Sequence, residues 1–414
     1  MRIVEINQRQ FDEYAITHKN RNFYQTSQYG EFMSRNGYKD FYLALMDFDG
    51  KIIAASLILV KRVFPNFKTA YSPRGFLIDF ENFDLIDKYV SLLKDYLKKK
   101  RIISLKIDPP IEYIKRDNNG KPLPEFGNNL KIINYLGSIG FRHTGFNLYF
   151  ENELPRWNSI IDNIENPVNI VNYFDEKNLE AIKEAQRRGV VIYKGKKDDL
   201  KTLFNFLPKN KKFNYYYKLI NIFSNFDMLD IFFSKIDPEL FLKNCKNLYE
   251  KELIKNSSIN SDLLITNNRA ELLNQKMESD RLLGIYKKDV VMATTLFNSK
   301  NDMILSGSIV IKYGDEIFFF AQGKNEQYNE FNTDYLINKV LIEGFSKVGF
   351  KKFNLNGITG DFNPKNKYYP LFEFNKGFNA RVVEYIGEFD LVLSKLKYSI
   401  YKSTHKKKDD IIKL

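Results

Sequence analysis

The same order of elements occurs twice along the chain, and this repeat constrains the fold more than any other feature. From residue 40, two apolar runs around the turn Asp49-Gly50 predict a β-hairpin, which an amphipathic helix and a buried strand follow. Residues 303–358 repeat the hairpin, helix and strand. With 43% apolar residues in 414, the chain can fill more than one core. The sequence therefore predicts an α/β protein built from two similar units.

A segment of different character lies between the two units. Phe241, Cys245 and Leu248 share one helical face, the polar run "NSSINS" interrupts, and a second helix then carries Leu272 and Met277. This pattern predicts an antiparallel two-helix coiled-coil arm. Such an arm is either a structural clip or a surface for RNA or a partner protein.

Charge and cysteine content limit the possible partners and cofactors. The 64 Lys and Arg against 51 Asp and Glu give a net charge of +13, which favours nucleic acid, phosphorylated metabolites or an anionic lipid surface without choosing among them. One cysteine excludes an internal disulfide, and the three histidines are too scattered for zinc, so we expect no structural metal. We find no signal segment or membrane-spanning run, and expect a cytoplasmic protein, at most peripheral at the inner membrane face.

Several segments, in order along almost the whole chain, resemble the FemABX family of peptidyltransferases, and most closely its FemA and FemB members. Among them are "YSPRGFLIDFEN" at 71–82, "LKIDPPIEY" at 105–113, "AQRRGVVIY" at 185–193, "FNLNGITGDF" at 353–362 and "FEFNKGFNARVVEYIGEFD" at 372–390. The resemblance implies two GNAT-like (acyl-CoA N-acyltransferase-like) domains with a groove between them and a helical arm inserted in the second. The repeat and the arm fall where this layout requires them.

The resemblance also suggests domain limits. We expect a first GNAT-like domain at 1–150, a second at 151–236 and 285–390, the arm at 237–284, and a C-terminal helix with a basic tail at 391–414 that packs back on the first domain.

The activity implied by the resemblance is transfer of an amino acid from aminoacyl-tRNA to a peptidoglycan precursor. A free amine of the stem peptide, or of the growing interpeptide bridge, would attack the ester carbonyl of the charged tRNA. Because that ester is already activated, positioning and charge stabilisation can supply most of the acceleration without a covalent intermediate. We therefore expect no cofactor beyond aminoacyl-tRNA as co-substrate. The expected partners are this tRNA, a lipid II or UDP-linked acceptor and, as a possibility, related transferases in an oligomer.

The catalytic candidates lie in two segments. Phe374, Asn375 and Lys376 match the family's Phe-Lys-Lys-Gly motif, except that Asn375 replaces the first lysine. Either Lys376 supplies the positive charge for the oxyanion, or Asn375 donates a neutral hydrogen bond, or activity is altered. Taken without the resemblance, the segment around Lys376 is also typical of an edge strand that enters the core, with the lysine head group in solvent. Asp108, at the end of a predicted strand, could activate the amine or merely cap the turn at Pro109-Pro110.

The binding candidates are residues that could contact the precursor or its pyrophosphate. The resemblance places a basic residue and a tyrosine there, for which 211–216 offers the best match, whereas Arg74 is open to an alternative role as an internal ion-pair partner. For tRNA, Arg187-Arg188 and the basic tail are candidate phosphate contacts. The complete set of candidates for substrate binding is Arg35, Arg74, Lys211, Lys212, Tyr215, Tyr216, Gly357 and Asp361.

Two other functions stay open at this stage. An N-acetyltransferase using acetyl-CoA would share the domain architecture, but its glycine-rich pyrophosphate loop is not found in the sequence. A non-catalytic nucleic-acid-binding protein is supported only by the net charge. The sequence does not decide whether glycine, which we favour, or alanine or serine is transferred.

Overall fold

The computed structural model describes residues 1–65, 67–165, 170–265, 269–299 and 303–405. Its strands are β1 (Arg2–Glu5), β2 (Lys39–Met46), β3 (Ile52–Phe64), β4 (Phe67–Ser72), β5 (Ile102–Ile107), β6 (Glu112–Lys115), β7 (Phe141–His143), β8 (Trp157–Asp162), β9 (Val190–Lys194), β10 (Leu229–Ile236), β11 (Met303–Tyr313), β12 (Glu316–Lys324), β13 (Lys352–Ile358), β14 (Arg381–Tyr385) and β15 (Phe389–Val392). Its α-helices are α1 (Gln8–Thr17), α2 (Ser27–Ser34), α3 (Phe83–Lys99), α4 (Leu130–Ser138), α5 (Glu176–Arg187), α6 (Leu200–Phe206), α7 (Phe213–Ser224), α8 (Pro238–Ile265), α9 (Arg269–Ser299), α10 (Thr333–Lys347), α11 (Tyr369–Lys376) and α12 (Lys395–His405).

The strands form two mixed sheets. The first has the order β1-β2-β3-β4-β5-β15-β7, and the second has the order β6-β14-β8-β13-β12-β11-β10-β9. Both predicted hairpins are confirmed, with left-handed glycines at their turns, Gly50 (φ 81°) and Gly314 (φ 60°). The predicted repeat is also confirmed, since β2-β3-β4-α3-β5 and β10-β11-β12-α10-β13 have the same order, and each ends in a parallel strand pair.

The parallel pairs of the two sheets differ in length. β4 and β5 pair from Lys68 to Ser72, with a register shift between Lys68 and Thr69, whereas β12 and β13 pair only from Glu316 to Phe318 and then separate. Beyond that point β13 also changes register against β8, between Asn354 and Gly357. The separation opens a gap in the second sheet that the first sheet does not have.

The sheets are joined by exchanged strands and by shared packing. β6 lies at the edge of the second sheet although it directly follows β5 of the first, and β15 inserts between β5 and β7 although it directly follows β14 of the second. A buried apolar cluster combines Phe23 and Leu57 from the first part of the chain with Phe223 and Ile309 from the second. α12 packs on the β5 side of the first sheet.

The arm is longer than predicted, and the polar run that was expected to interrupt it is helical. Residues of "NSSINS" belong to α8, because Asn256 is buried and its Nδ2 donates to Ser279 Oγ (3.0 Å) and Asp280 Oδ1 (2.9 Å) of α9. A polar run inside a helix is tolerated when the opposing helix satisfies its hydrogen bonds. The expected end of the arm at 284 falls inside α9, which continues to Ser299.

Two strand predictions were wrong. The segment around Lys376 is the end of helix α11, with Pro370 at its first turn, and strand β14 begins only at Arg381, after a turn in which Asn379 is left-handed (φ 62°). Proline in the first helical turn costs no hydrogen bond, so it favours this helix start. The run "FRHTGFNLYF" at 141–150 also predicts a strand after Gly140, but the strand β7 ends at His143.

Candidate active site

A cavity of about 280 Å³ occupies the gap between the separated ends of β12 and β13. Phe320 and Gln322 line it from β12 and Gly357 from β13, while Phe374 and Asn375 of α11 close one side. Three of the candidates from the sequence, namely Gly357, Phe374 and Asn375, are thus brought together. A cavity lined mainly by apolar side chains, with a few polar groups on a rigid sheet, is a favourable place for a ligand.

Asn375 offers an unused hydrogen-bond donor in this cavity. Its side chain is 2% exposed, and its Nδ2 has no partner among the residues that the structure describes. Buried amide groups are nearly always hydrogen-bonded in proteins, so an exception at a cavity wall points to a missing ligand or water. Phe374 packs beside it, with its ring 4.9 Å from that of Tyr335.

Asn338 of α10 offers the complementary atom. Its side chain is 1% exposed and lines the same cavity, and its Oδ1 likewise has no partner within the described ranges. Two residues that line one cavity therefore hold an unpaired donor and an unpaired acceptor within the described ranges. Asn338 was missed by the sequence reasoning, although an asparagine on the buried face of an amphipathic helix was a usable signal.

Gly357 allows the chain segment between the two domains to approach the cavity. A Cβ built on Gly357 would lie 2.4 Å from Pro155 Cγ, too close for any other residue without movement. Pro155 and Phe150 thus form a wall of the cavity from outside the second sheet.

Lys376 and Asp361 lie outside this cavity. Lys376, half-buried at the end of α11, does not line it, and its carbonyl accepts from Asn379 N (2.8 Å). Asp361 accepts from Tyr149 Oη (2.8 Å) and Asn363 N (3.1 Å), and these bonds lower the pKa of the carboxyl. Asp361 therefore ties its loop to the segment that precedes β8.

Asp108 and Arg74 form a buried pair at the end of β5. Asp108 is 2% exposed and accepts from the backbone N of Arg74 (2.7 Å), while the guanidinium lies 3.7 Å from Oδ2. Arg74 Nη2 also donates to Pro155 O (2.7 Å), and its guanidinium stacks 4.5 Å from the Tyr385 ring centre. The internal ion pair left open by the sequence is thus present, although Arg74 also lines a cavity of about 230 Å³ between the domains.

The remaining candidates meet where α7 crosses α2. The ring of Tyr215 lies 5.0 Å from that of Phe32, and Lys218 donates to the carbonyl of Arg35, whose side chain pairs with Glu31. Lys211 and Lys212 are exposed just before α7, with Lys211 Nζ 5.4 Å above the Tyr215 ring.

Tyr216, the last binding candidate of the segment 211–216, is buried, and its hydroxyl donates to Pro208 O (3.4 Å). The helix crossing therefore brings Arg35 next to α7 and Lys211 next to Tyr215, and Tyr216 supports α7 from the core.

The candidate tRNA arginines are committed to internal ion pairs. Arg187 pairs with Asp289 and with Glu184 (2.7 Å), and Arg188 reaches the same two carboxylates. They fix α5 to the arm, which leaves little of their charge for phosphate. The basic residues 406–408 lie outside the described residues. Within the described ranges, no helix is long and apolar enough to cross a membrane, and no cluster of His, Cys, Asp or Glu could hold a metal ion.

Two mixed sheets joined by exchanged strands, an inserted two-helix arm and a cavity between separated strands form the architecture that the resemblance implied. The chain belongs to the FemAB family, whose model matches residues 6–406. The resemblance seen in the sequence is thereby confirmed, and the protein is an aminoacyltransferase.

Its relatives match over nearly their whole length. The aminoacyltransferase FemA of Staphylococcus aureus strain N315 is 24% identical over 425 residues, which cover 99% of this chain and 100% of FemA. FemA of strain MW2 shows the same identity and coverage. A crystal structure of FemX superposes with a TM-score of 0.76 at 18% identity, covering 97% of this chain and 99% of FemX, and this likeness supports the fold.

Proposed function

We propose that this protein transfers an amino acid from aminoacyl-tRNA to a peptidoglycan precursor. The acceptor is the stem-peptide side chain or the growing interpeptide bridge of a lipid-linked or UDP-linked precursor, and glycine is the favoured donor, ahead of alanine and serine. Membership of the FemAB family supports the class of reaction, and the two unpartnered amide atoms in the cavity support the location.

The cavity offers what the reacting ester needs. When the acceptor nitrogen attacks the ester carbonyl carbon, negative charge develops on the carbonyl oxygen, and we assign Asn375 Nδ2 as the donor to it. We assign Asn338 Oδ1 as the acceptor from the α-ammonium group of the donor amino acid. The bond between the carbonyl carbon and the ribose oxygen of the tRNA then breaks. The proton lost by the attacking amine is taken up by that ribose oxygen, which leaves as a hydroxyl.

We assign the oxyanion contact to Asn375 rather than to Lys376, because of these two residues only Asn375 lines the cavity. A neutral donor stabilises an oxyanion less than a charged one does, by about 1 kcal/mol, so turnover would be slower than with a lysine but not abolished. We assign no general-base role to Asp108 here, because it does not line this cavity and is bonded to Arg74.

The test is a transfer assay with a mixture of charged tRNAs and each precursor, followed by weighing the product. We expect the mass of one aminoacyl residue to be added. Asn375→Ala should lower turnover on the order of tenfold with little change in melting temperature, since the lost Nδ2 has no partner among the residues that the structure describes. Lys376→Ala is the matched neighbour and should retain more activity.

Unchanged mass with every tRNA and precursor would refute the proposed reaction. Consumption of acetyl-CoA instead would identify an N-acetyltransferase. Full activity of Asn375→Ala together with loss of activity in Lys376→Ala would move the oxyanion contact to Lys376.

A further inference from the structure

The surface around the start of α7 is strongly basic. From Leu200 to Phe226 the chain has five lysines and no acidic residue. Residues 208–214 are all exposed, and they include Lys209, Lys211 and Lys212. The carboxylates closest in sequence are already engaged: Asp199 accepts from Lys196 N (2.7 Å), and Asp227 pairs with Lys312 (2.8 Å). The positive charge of this surface is therefore little compensated locally.

Exposed aromatic rings continue this charged surface. Lys209 Nζ lies 4.2 Å from the centre of the Phe204 ring, which contacts Phe213 edge-on at 5.4 Å. Phe213 in turn stacks with Tyr217 one helical turn later, at 6.4 Å between ring centres. Phe213 is 37% exposed and Tyr217 52% exposed, so the rings face solvent rather than the core. We call Lys209, Lys211, Lys212, Phe213 and Tyr217 the basic aromatic surface.

We propose that the basic aromatic surface docks on an anionic phospholipid membrane. Lysines near such a surface are attracted electrostatically, and aromatic side chains are favoured at the level of the headgroups, where one end is apolar and the other is wet. The combination of a short amphipathic element, lysines and protruding rings is typical of helices that lie in the interface without spanning it. An RNA duplex would use the lysines but would leave both rings in water.

The position of this surface is consistent with a lipid-linked acceptor, a link that depends on the proposed function. Lys211, a candidate for the precursor's pyrophosphate, lies two residues before Phe213, the first residue of α7. In a lipid-linked precursor the pyrophosphate joins the sugar to the lipid and stays at headgroup level. If α7 rests on the membrane, the exposed Lys211 can reach the pyrophosphate without extracting the lipid.

The test is sedimentation of the full-length protein with vesicles of phosphatidylcholine, with and without phosphatidylglycerol, at low and high salt. We expect binding only with phosphatidylglycerol and a loss of binding as salt increases. Phe213→Ser/Tyr217→Ser and Lys211→Gln/Lys212→Gln should each weaken binding on the order of tenfold. Two matched controls, Phe48→Ser at an exposed turn and Lys98→Gln/Lys99→Gln at the end of α3, should bind like the parent.

Equal binding of all variants, or no preference for phosphatidylglycerol, would overturn the membrane proposal. Loss of charged-tRNA binding in gel shifts, with vesicle binding retained, would assign the surface to RNA instead. A transfer assay with the soluble UDP-linked precursor separates this inference from the proposed function. Phe213→Ser/Tyr217→Ser should still transfer to that acceptor even if vesicle binding is lost, whereas failure of the parent to transfer at all would count against the reaction itself.

Discussion

At the scale of single residues, Asp108 makes stability depend on pH. Burial raises the pKa of the Asp108 carboxyl to about 7, and the nearby Arg74 guanidinium offsets this only in part. Because the unfolded carboxyl titrates near pH 4, folding takes up a proton between about pH 4 and 7. The contribution of Asp108 to the free energy of unfolding therefore declines as the pH rises through that window.

Asp108→Asn should remove this pH dependence, since asparagine imitates the protonated carboxyl at every pH. Urea unfolding at pH 5 and at pH 8 measures this pH dependence. The free energy of unfolding should fall less between pH 5 and pH 8 in the variant than in the parent. Other buried carboxyls act equally in both proteins, so they cancel. A matched Asp49→Asn variant at an exposed turn should behave like the parent. If the free energy of unfolding of Asp108→Asn fell between pH 5 and pH 8 as much as that of the parent, the account would be contradicted.

Site residues are recognisable in the sequence where a motif or a strand end marks them. Phe374 and Asn375 were found through the resemblance, and the structure places both at the cavity. Asn338 was missed because its role depends on α10 packing beside α11, which no local pattern reveals. The sequence could not decide whether Arg74 pairs with Asp108, because Arg74 follows β4 and Asp108 follows β5, and only the folded sheet brings them together.

At the scale of elements, the arm is fixed at its base by a buried carboxylate. Asp289 of α9 is 4% exposed and bridges Arg187 and Arg188 at the end of α5. Removing one partner of a buried ion pair leaves the other charge uncompensated, which costs about 3 kcal/mol or more. Asp289→Ala should therefore lower the melting temperature, whereas the adjacent and exposed Lys288→Ala should not. Equal melting temperatures for both variants would refute this role.

The helices and hairpins were largely predictable, because their apolar periodicity and turn glycines are local. The arm shows where this fails: "NSSINS" has the composition of a break, yet Asn256 is stabilised inside α8 by Ser279 and Asp280 of the opposite helix. The helix that ends at Lys376 was likewise hidden by a strand-like alternation that begins only five residues later, at Arg381.

At the scale of the whole molecule, the exchanged strands bind the two domains together. β15 lies inside the first sheet, between β5 and β7, although it is close to the end of the chain. Neither this exchange nor the position of β6 could be predicted, since pairing between distant strands leaves no local pattern.

A pair of truncations tests the importance of β15. A chain ending at Gly387 lacks β15 and should fail to give a cooperative thermal transition, because an interior strand of the first sheet is missing. A chain ending at Ser394 lacks only α12 and the tail, and should keep a cooperative transition at a lower temperature. Similar melting curves for both, followed by circular dichroism, would show that the first sheet does not need its exchanged strand.

The location of the aminoacyl group is tested most directly by a crystal structure with a non-hydrolysable, amide-linked aminoacyl-adenosine. We predict the acyl carbonyl oxygen within hydrogen-bond distance of Asn375 Nδ2 and the α-ammonium group against Asn338 Oδ1, in the gap between β12 and β13. Density for the aminoacyl group elsewhere, with both amides still unpartnered, would contradict the account.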